Sequence, residues 1–365
     1  MGFADKLISR LNDADVVKFS EKDIFKDVKT WIHSGSPEME SNMTILGFPV
    51  GVTEIAGKSR SGKTTIALMA MKNFQKSHPD GVCLILSSEN RDNKEYAKQI
   101  GIDVEKVIIV KSKFVEDLFF KLQIQLNAIN KLWAEEGMEG KPKVFIFWDS
   151  LGSTLSRSEK EAFNENVKNL EKSLAKGTKM DIEHSQPGAF AKQAKMCMKN
   201  LLSQIYDMDI VFLILNHTMA KIGGGRGGRT SGGGEWIEYM PTLRLETTLI
   251  ENEKIDDVEV AQYTKVKVVK NDFGPRKETI IEILLGYGIV LSEEDIKYAL
   301  DQKILVPKGK TGVSFMNDKL TWNSKRSFYQ NYYDSHPLLP VLLTKIKNAR
   351  HKDILAKRAL EEEEE

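Results

Sequence analysis

The sequence predicts an α/β fold with a mostly parallel central sheet, and three observations support this prediction. Short apolar runs typical of buried strands occur at residues 51–56, 81–87, 106–111, 143–148 and 209–215. Helical patterns separate these runs at residues 63–74, 93–100 and 116–133. This alternation is typical of a parallel sheet covered by helices on both faces. A glycine-rich loop at residues 57–64 also joins the first apolar run to the first helical pattern.

The composition limits the classes of protein to consider. A chain of 365 residues with 41% hydrophobic residues can form one large domain with smaller appendages. The net charge of +1 means that a nucleic-acid partner would have to be met by a local basic patch. The two cysteines, Cys83 and Cys197, provide neither a disulfide framework nor a zinc module. With no apolar run long enough for a membrane span, we expect a cytoplasmic protein without a membrane partner.

The N-terminal residues predict a short helix followed by a linker. Leu7, Ile8 and Leu11 form one apolar stripe within residues 3–20. A lone helix of that length is marginal by itself, so we expect it to pack on its own domain or on a neighbouring subunit. Residues 21–43 are mixed and polar, which predicts a linker.

The glycine-rich loop has the pattern G-x-x-x-x-G-K-[ST], which is typical of a loop that binds phosphate groups. Gly57 and Gly62 permit backbone angles that turn successive N–H groups towards an anion. Lys63 offers a positive charge to the terminal phosphates, and Thr64 offers a hydroxyl to magnesium. The helix that follows would point its positive N-terminal end at the phosphates. We therefore predict a nucleotide site formed by Gly57, Lys58, Ser59, Arg60, Ser61, Gly62, Lys63, Thr64 and Thr65.

Two further strands are predicted to end in carboxylates near this loop. The run 144–148 is followed by Asp149, where P-loop proteins hold magnesium through water. The run 82–86 leads to Glu89, which could accept a proton from an attacking water. The alternative for Glu89 is a surface residue that caps the next helix.

The strand at residues 210–215 is followed by His217 and then by a loop rich in glycine and basic residues. Ligands of open α/β sheets bind at the carboxyl ends of the strands, so His217 is predicted to face the same crevice. A structural histidine is the alternative. The loop contains Lys221, Arg226 and Arg229, and we expect its backbone to be mobile without a ligand. Its composition suits contacts with phosphodiesters, although a flexible surface linker is the alternative. The predicted DNA-contacting residues of this loop are Lys221, Arg226, Gly227, Gly228, Arg229, Gly233 and Gly234.

The segment between Ser150 and Gly188 is long and irregular in pattern. A capping box at Ser158–Glu161 predicts that part of it is helical. The following helix carries Lys192, Lys195 and Lys199 on one face, which either is solvated or contacts phosphates.

The pattern changes after residue 242. Residues 242–250 and 259–271 alternate as strands around an acidic turn at 251–257, and residues 278–285 predict a third strand. From residue 292 the sequence predicts a small helical module with interspersed aromatic residues. The final acidic run, residues 361–365, is expected to be disordered.

Together these pieces resemble the RecA-type strand-exchange recombinases, and most closely their UvsX-type branch from bacteriophages. The similarity covers roughly residues 40–300. It rests on the phosphate loop, on Glu89, Asn93 and Tyr96 with the segment 97–103, on Asp149-Ser150, on Asn216-His217 and on Val266-Lys267-Val268-Val269-Lys270-Asn271.

The resemblance implies roles for these residues and a domain plan. Glu89 would activate water, Asn93 and Tyr96 would bracket adenine, and His217 would sense the γ-phosphate. Lys270 would reach the ATP of the adjacent subunit. The expected plan is an N-terminal oligomerisation helix with its linker (1–40), a RecA-like P-loop ATPase core (41–290), a small C-terminal α+β domain (291–358) and an acidic tail (359–365). Two DNA-binding loops are expected within the core, at about 151–188 and 218–235.

The sequence departs from the family pattern at four places. Asp272 replaces a second lysine that acts across subunits, and Asn93 replaces an aspartate at the adenine site. The loop between Ser150 and Gly188 is longer than usual. Lys58-Ser59-Arg60 replaces the usual Pro-Glu-Ser of the phosphate loop.

These observations predict a DNA-dependent ATPase that uses ATP and Mg²⁺ to form a helical homo-oligomeric filament on single-stranded DNA. Homologous duplex DNA would be its second substrate, and a recombination mediator and a single-strand-binding protein are possible partners. If the protein is phage-encoded, the host cytoplasm is its expected location. The alternatives are a RecA-fold hexameric helicase and a regulatory ATPase that does not act on DNA.

Overall fold

The computed structural model describes residues 30–43, 45–88, 94–176, 188–220 and 229–364. The N-terminal helix predicted at residues 3–20 lies outside this range. The strands are, in chain order, β1 (Trp31–Ile32), β2 (Phe48–Pro49), β3 (Gly51–Gly57), β4 (Val82–Ser87), β5 (Val107–Lys111), β6 (Val144–Asp149), β7 (Ile210–Ala220), β8 (Arg229–Ser231), β9 (Leu243–Ile255), β10 (Val258–Asn271), β11 (Glu278–Leu284), β12 (Gly288–Val290), β13 (Val306–Lys308), β14 (Gly312–Phe315) and β15 (Leu320–Trp322).

The central sheet has the strand order β12-β11-β10-β9-β3-β7-β6-β4-β5, and β8 pairs with β7. The strands from β9 to β5 in this order run parallel, whereas β10, β11 and β12 add an antiparallel extension. The predicted α/β class with a mostly parallel sheet is therefore confirmed. All five strands that the apolar runs predict are present, and β7 continues to Ala220.

Helices cover both faces of this sheet. In the described residues they are α1 (Pro37–Met43), α2 (Lys63–Ser77), α3 (Lys94–Ile100), α4 (Val115–Glu135), α5 (Arg157–Lys176), α6 (Ala189–Asp207), α7 (Trp236–Tyr239), α8 (Glu293–Asp301), α9 (Lys325–Tyr333) and α10 (Leu339–Glu364). Phe74 of α2 packs on Phe145 of β6, and Phe119 of α4 packs on Trp148 of the same strand. Because side chains alternate along a strand, Phe145 and Trp148 lie on opposite faces, and so do these two helices.

The linker predicted at residues 21–43 is wrong for its described part, from residue 30 onwards. β1 pairs with β2, and Met39 and Met43 of α1 are each 1% exposed. The polar pattern misled the prediction because the carboxylates of this segment are buried with partners. Glu38 accepts hydrogen bonds from Thr279 at 2.9 Å and from Ser292 at 2.6 Å, so its burial does not leave an unsatisfied charge.

The predicted hairpin after residue 242 forms, but its turn is much shorter than the acidic segment 251–257. β9 continues to Ile255 and β10 begins at Val258, which leaves Asp256 and Asp257 as the turn. Both residues have positive φ, 52° and 61°, as a two-residue hairpin turn requires. The glutamates before them lie on the exposed part of β9, where a strand tolerates charge.

The C-terminal part is an α+β unit, with the three-stranded sheet β13-β14-β15 beside α8, α9 and α10. Its own core includes Trp322, Phe328 and Tyr329. The sequence pattern, which predicted a helical module from residue 292, missed these three strands, whereas the α+β character that the resemblance implies is present. The predicted disorder of residues 361–365 is also wrong as far as Glu364, because α10 extends through the run to that residue. Within the described residues, no helix has the length and apolarity that a membrane crossing would need.

Candidate nucleotide site and neighbouring loops

The phosphate loop lies between the end of β3 at Gly57 and the start of α2 at Lys63. Gly62 caps α2 with φ of 86°, a conformation that favours glycine. Gly57 is required for a different reason: a Cβ there would lie 2.2 Å from Thr247 Oγ1. The loop is therefore shaped by close packing against β9 as well as by its own turn.

Thr247 of β9 packs against the phosphate loop, and no sequence pattern predicted this contact. Its hydroxyl lies 2.7 Å from the hydroxyl of Ser61 and donates to the Ala56 carbonyl at 3.3 Å. Ser61 in turn donates to the Lys58 carbonyl at 2.8 Å. No sequence signal marks Thr247, because it lies 190 positions further along in a different pattern and only the parallel pairing of β3 with β9 brings it here.

Lys63 points its ammonium group into the loop. Its Nζ donates to the carbonyls of Gly57 at 3.0 Å and of Lys58 at 2.7 Å, and the residue is 7% exposed. Burial lowers the pKa of Lys63, and the negative charge of Asp149 partly opposes that shift. The loop thus holds a buried positive charge where an anion would neutralise it.

Thr64 and Asp149 face each other across the start of α2. The Thr64 hydroxyl donates to Asp149 Oδ2 at 3.5 Å, and Asp149 is the last residue of β6. A cavity of about 330 Å³ opens beside this pair. Its lining is otherwise mostly apolar and includes Leu68, Met71, Ile85, Tyr96, Ala97, Ile102, Val104 and Phe147.

Tyr96 closes one side of this cavity. Its hydroxyl lies 2.7 Å from Thr65 Oγ1, and burial raises the pKa of the phenol. The structure therefore brings Lys63, Thr64, Asp149 and Tyr96 close together around the loop and the cavity. Glu89 and Asn93 lie outside the described residues, so their predicted roles remain predictions.

His217 lies next to the phosphate loop because of strand register. β7 runs parallel to β3, and His217 is the residue paired with Gly57. The turn at Leu151–Ser153, directly after Asp149 and Ser150, approaches it closely, and a Cβ on Gly152 would lie 3.2 Å from His217 Cδ2. His217 therefore connects the phosphate loop with the start of the segment that follows β6.

The C-terminal end of the glycine-rich loop has a defined backbone structure that packs against the core. β8 pairs antiparallel with residues 218–220 of β7, and the Gly232 amide donates to the His217 carbonyl at 3.2 Å. The predicted absence of a fixed backbone is thus wrong for residues 229–234. Gly233 and Gly234 have φ of 102° and 87°, and a Cβ on either would collide with Leu151 or Ala191. Lys221, Arg226, Gly227 and Gly228 lie outside the described residues, and only the backbone of Arg229 is described.

The first predicted DNA loop, 151–188, is largely a helix in its described part. α5 occupies Arg157–Lys176, and its capping box is formed by Ser156 and Glu159, two residues before the predicted one. The next helix, α6, exposes Lys192, Lys195 and Lys199, while Ala194 and Met198 of the same helix are fully buried. The predicted basic face is therefore solvent-accessible.

Lys270 lies on β10, two strands away from the β3 strand that leads into the phosphate loop of its own chain. It pairs with Arg244 of β9, which pairs with Glu54 of β3. Glu54 precedes Gly57 by about 10 Å of strand, and β10 is about 10 Å from β3 across the sheet. The Lys270 ammonium instead donates to the Tyr239 carbonyl at 2.8 Å and lies 3.6 Å from Asp272.

A buried ion pair beneath the site was also not identified from the sequence. Glu54, 1% exposed, accepts hydrogen bonds from Arg244 Nε at 2.6 Å and from Asn216 Nδ2 at 2.8 Å. The available signal was a lone carboxylate inside an apolar strand that is buried along its whole length. Such a residue needs a partner on a neighbouring strand.

Comparisons with known proteins agree with this geometry. The family description "RecA N-terminal domain" matches residues 5–125 and 168–290. The protein named RecA of Nautilia profundicola is 28% identical over 339 residues, which cover 92% of this chain and 86% of the relative. The one of Lactobacillus delbrueckii subsp. bulgaricus is 26% identical over 335 residues, 91% of this chain and 90% of the relative. The chromosomal RecA of Lactococcus lactis subsp. lactis is 25% identical over 312 residues, 84% of this chain and 72% of the relative.

Proposed function

The chain belongs to the RecA family, and from this premise we propose that it is an ATP-dependent recombinase that exchanges DNA strands. One observation carries the proposal. The carboxyl ends of β3, β6 and β7 bring the phosphate loop, Asp149 and His217 together with the return of a glycine- and arginine-rich loop. A nucleotide and a polyanion bound at these two places would share the same strand ends.

Magnesium ATP fits the donor set of the site. Lys63 and the loop amides suit the phosphates, and the oxygens of Thr64 and Asp149 are the hard ligands that magnesium prefers. Gly57 leaves room where a Cβ would block the loop. ATP would supply the phosphoanhydride bond that is cleaved, while Lys63 neutralises phosphate charge and Asp149 orients the metal's water.

The remaining roles follow the family pattern. Glu89 would orient the attacking water, and His217, which pairs with Gly57 in the sheet, would contact the γ-phosphate. The apolar cavity beside Tyr96 suits the adenine, with Asn93 as its second contact. We also propose that the protein belongs to the phage UvsX-type branch, which its sequence resembles most closely.

We propose that the protomers assemble head to tail into a filament. Lys270 is too far from the phosphate loop of its own chain, which supports a role at the ATP of the adjacent protomer. β5 has a strand partner on one side only among the described residues, and Ile108 on it is 42% exposed. Such an edge can accept a segment of a neighbour, and the N-terminal residues of the next copy are the proposed occupant.

DNA would lie along the basic loops and helix α6. Lys192, Lys195 and Lys199 are exposed there, and Lys221, Arg226 and Arg229 belong to the adjoining loop. Single-stranded DNA would bind first and homologous duplex second, with a mediator and a single-strand-binding protein as accessory partners. Charge repeated along a filament would compensate for the small net charge of one chain.

The test compares ATP hydrolysis by the purified protein with and without single-stranded DNA, followed by a strand-exchange assay on homologous duplex. We expect DNA to stimulate hydrolysis and ATP to be required for exchange. The double variant Arg226→Ala/Arg229→Ala should bind DNA more weakly, with a smaller dependence on salt. Hydrolysis that is indifferent to DNA, or unwinding of a forked duplex without exchange, would contradict the proposal.

A further inference from the structure

The ion pair beneath the phosphate loop belongs to a hydrogen-bonded group that joins three neighbouring strands of the sheet. Glu54 of β3 lies directly opposite Arg244 of β9, and its Oε2 accepts the Arg244 Nε–H at 2.6 Å. Its other oxygen, Oε1, accepts an N–H of the Asn216 side chain on β7 at 2.8 Å. Glu54 is 1% exposed and Asn216 is fully buried, so water does not compete for these bonds.

Asn216 passes this constraint on to the glycine-rich loop. Its Nδ2 also donates to the Gly232 carbonyl at 2.8 Å, and its Oδ1 accepts the His217 amide N–H at 2.8 Å. Both hydrogens of the amide group are therefore used, one by Glu54 and one by the loop. Without its hydrogen bond to Glu54, the Asn216 side chain can rotate away from both Gly232 and His217.

The residues that follow Gly232 have little conformational freedom to compensate for such a rotation of Asn216. Gly233 and Gly234 pass so close to Leu151 and Ala191 that a Cβ on either glycine would lie 2.6–2.7 Å from those side chains. Leu151 belongs to the turn that follows Asp149. The position of Gly232 is thus linked to His217 through Asn216 and to the strand end of Asp149 through this packing.

We propose that Glu54 is a positioning residue that makes the phosphate-facing His217 and the stem of the glycine-rich loop respond as one unit. It touches neither ATP nor DNA in the proposed function, on which this inference rests. Its carboxylate has two acceptor oxygens, which is the number needed to hold Asn216 and Arg244 at once. Loss of the hydrogen bond between Glu54 and Asn216 would leave the ATP site and the DNA-binding loop intact and weaken the coupling between them.

The variant Glu54→Gln tests this proposal with little change of volume. Arg244 and Asn216 bond different oxygens of Glu54. A glutamine keeps an oxygen at one of these positions and places an NH2 group, which cannot accept, at the other, so one of the two hydrogen bonds is lost. We expect DNA-independent ATP hydrolysis to stay within about threefold of the unaltered protein, because no phosphate contact is removed. The stimulation by single-stranded DNA should fall by about tenfold or more, since removing a positioning contact has effects of this order.

A second readout does not depend on DNA. Trypsin can cleave after Arg226 and Arg229, and a non-hydrolysable ATP analogue should slow this cleavage in the unaltered protein by holding the loop stem more firmly against β7. In Glu54→Gln that protection should be lost although the analogue still binds. If Glu54→Gln does not fold, Asn216→Ser provides the same test with the Glu54–Arg244 pair retained, and it should lose the same protection.

The matched control is Asp295→Asn. Asp295 is fully buried and lies 3.1 Å from Arg350 Nε, so the change also removes a buried carboxylate that faces an arginine, far from the phosphate loop. Its stimulation ratio and its protection should equal those of the unaltered protein, even where its melting temperature falls. Unchanged stimulation and unchanged protection in Glu54→Gln would overturn the inference, as would equal losses in Asp295→Asn. Absence of stimulation in the unaltered protein would instead refute the proposed function.

Discussion

At the scale of single residues, Lys63 is the group on which the proposed nucleotide binding depends most directly. Its ammonium group is buried in the phosphate loop and donates hydrogen bonds to two carbonyl oxygens, a position in which an anion would neutralise its charge. Lys63→Met keeps the packing and removes the charge, so we expect ATP turnover (kcat/KM) to fall by about 100-fold or more, as for other lost electrostatic contacts to a transition state. Steady-state kinetics measure this fall.

Lys72→Met is the control for that experiment. Lys72 lies on the same helix, is partly buried with a pKa lowered to about 8 by burial and by Lys76, and lines a different cleft. We expect its turnover to stay within about threefold of the unaltered protein. A comparable fall in both variants would show that loss of a buried lysine, rather than a phosphate contact, explains the effect.

Glu40 provides a prediction about pH. Burial alone would raise the pKa of this fully buried carboxyl, but His33 and His351 beside it hold the pKa at about 2. The pKa is below its ordinary value of 4.5, so the carboxylate stabilises the fold above pH 4.5 and this contribution is lost as the pH falls towards 2. It amounts to about 3 kcal/mol in unfolding free energy.

The measurement compares urea unfolding of the unaltered protein and of Glu40→Gln between pH 3 and pH 7. The difference in unfolding free energy should be larger at pH 5 than at pH 3, because Glu40 becomes protonated as the pH falls. Glu105→Gln, which removes an exposed carboxylate, serves as the control and should show almost no difference. A difference that grows between pH 5 and pH 3 would contradict the assignment.

At the scale of elements, the edge strand β5 is the proposed contact with a neighbouring protomer. Ile108 and Ile109 are about equally exposed on its two faces, 42% and 41%. Because Ile109 also lines the nucleotide cavity, the test uses Ile108→Lys. A charge on a strand edge opposes the addition of another strand, so we expect smaller assemblies in the presence of ATP and DNA. Light scattering and electron microscopy measure their size.

The matched control for that test is Ile280→Lys. Ile280 is 47% exposed on β11, in the antiparallel extension of the sheet. It should leave the size of the assemblies unchanged, and both variants should melt within a few degrees of the unaltered protein because surface changes cost little. Full-length filaments of Ile108→Lys would exclude β5 as the contact.

Local patterns predicted the elements of the core because each carries its own signal. The apolar runs of β3, β4, β6 and β7 and the glycines and lysine of the phosphate loop are adjacent in sequence. The pattern failed where the partner is remote. Residues 37–43 were predicted to be linker because Glu38 and Glu40 meet their partners only in the folded chain. Thr247 and the Glu54–Arg244 pair were missed for the same reason.

At the scale of the whole molecule, the position of Lys270 predicts that one chain lacks a complete site. We expect Lys63→Met and Lys270→Met each to be nearly inactive in DNA-stimulated hydrolysis. An equal mixture should recover activity, because a Lys270→Met protomer keeps its phosphate loop and a Lys63→Met neighbour supplies Lys270. Random assembly of two types in a head-to-tail polymer makes about a quarter of the interfaces complete. ATPase assays over a range of mixing ratios measure the recovery.

The control is a mixture of each variant with Asp149→Ala. Asp149 and Lys63 belong to the same phosphate site, so Asp149→Ala should complement Lys270→Met but not Lys63→Met. Recovery in every pairing, or in none, would argue against a site shared between two chains.

The separation of Lys270 from Gly57 of its own chain also gives the proposed polymer a direction, because each phosphate loop would meet the lysine of one neighbour only. At one terminus the last nucleotide has no lysine from a further protomer, and at the other terminus a lysine has no nucleotide to meet. We therefore expect subunits to dissociate from the two termini at unequal rates, because at only one terminus does the last protomer hold an ATP without a lysine from a neighbour. The direction in which protomers add to a DNA strand and dissociate from it would then follow from the position that the pairing of β10 with β9 gives to Lys270.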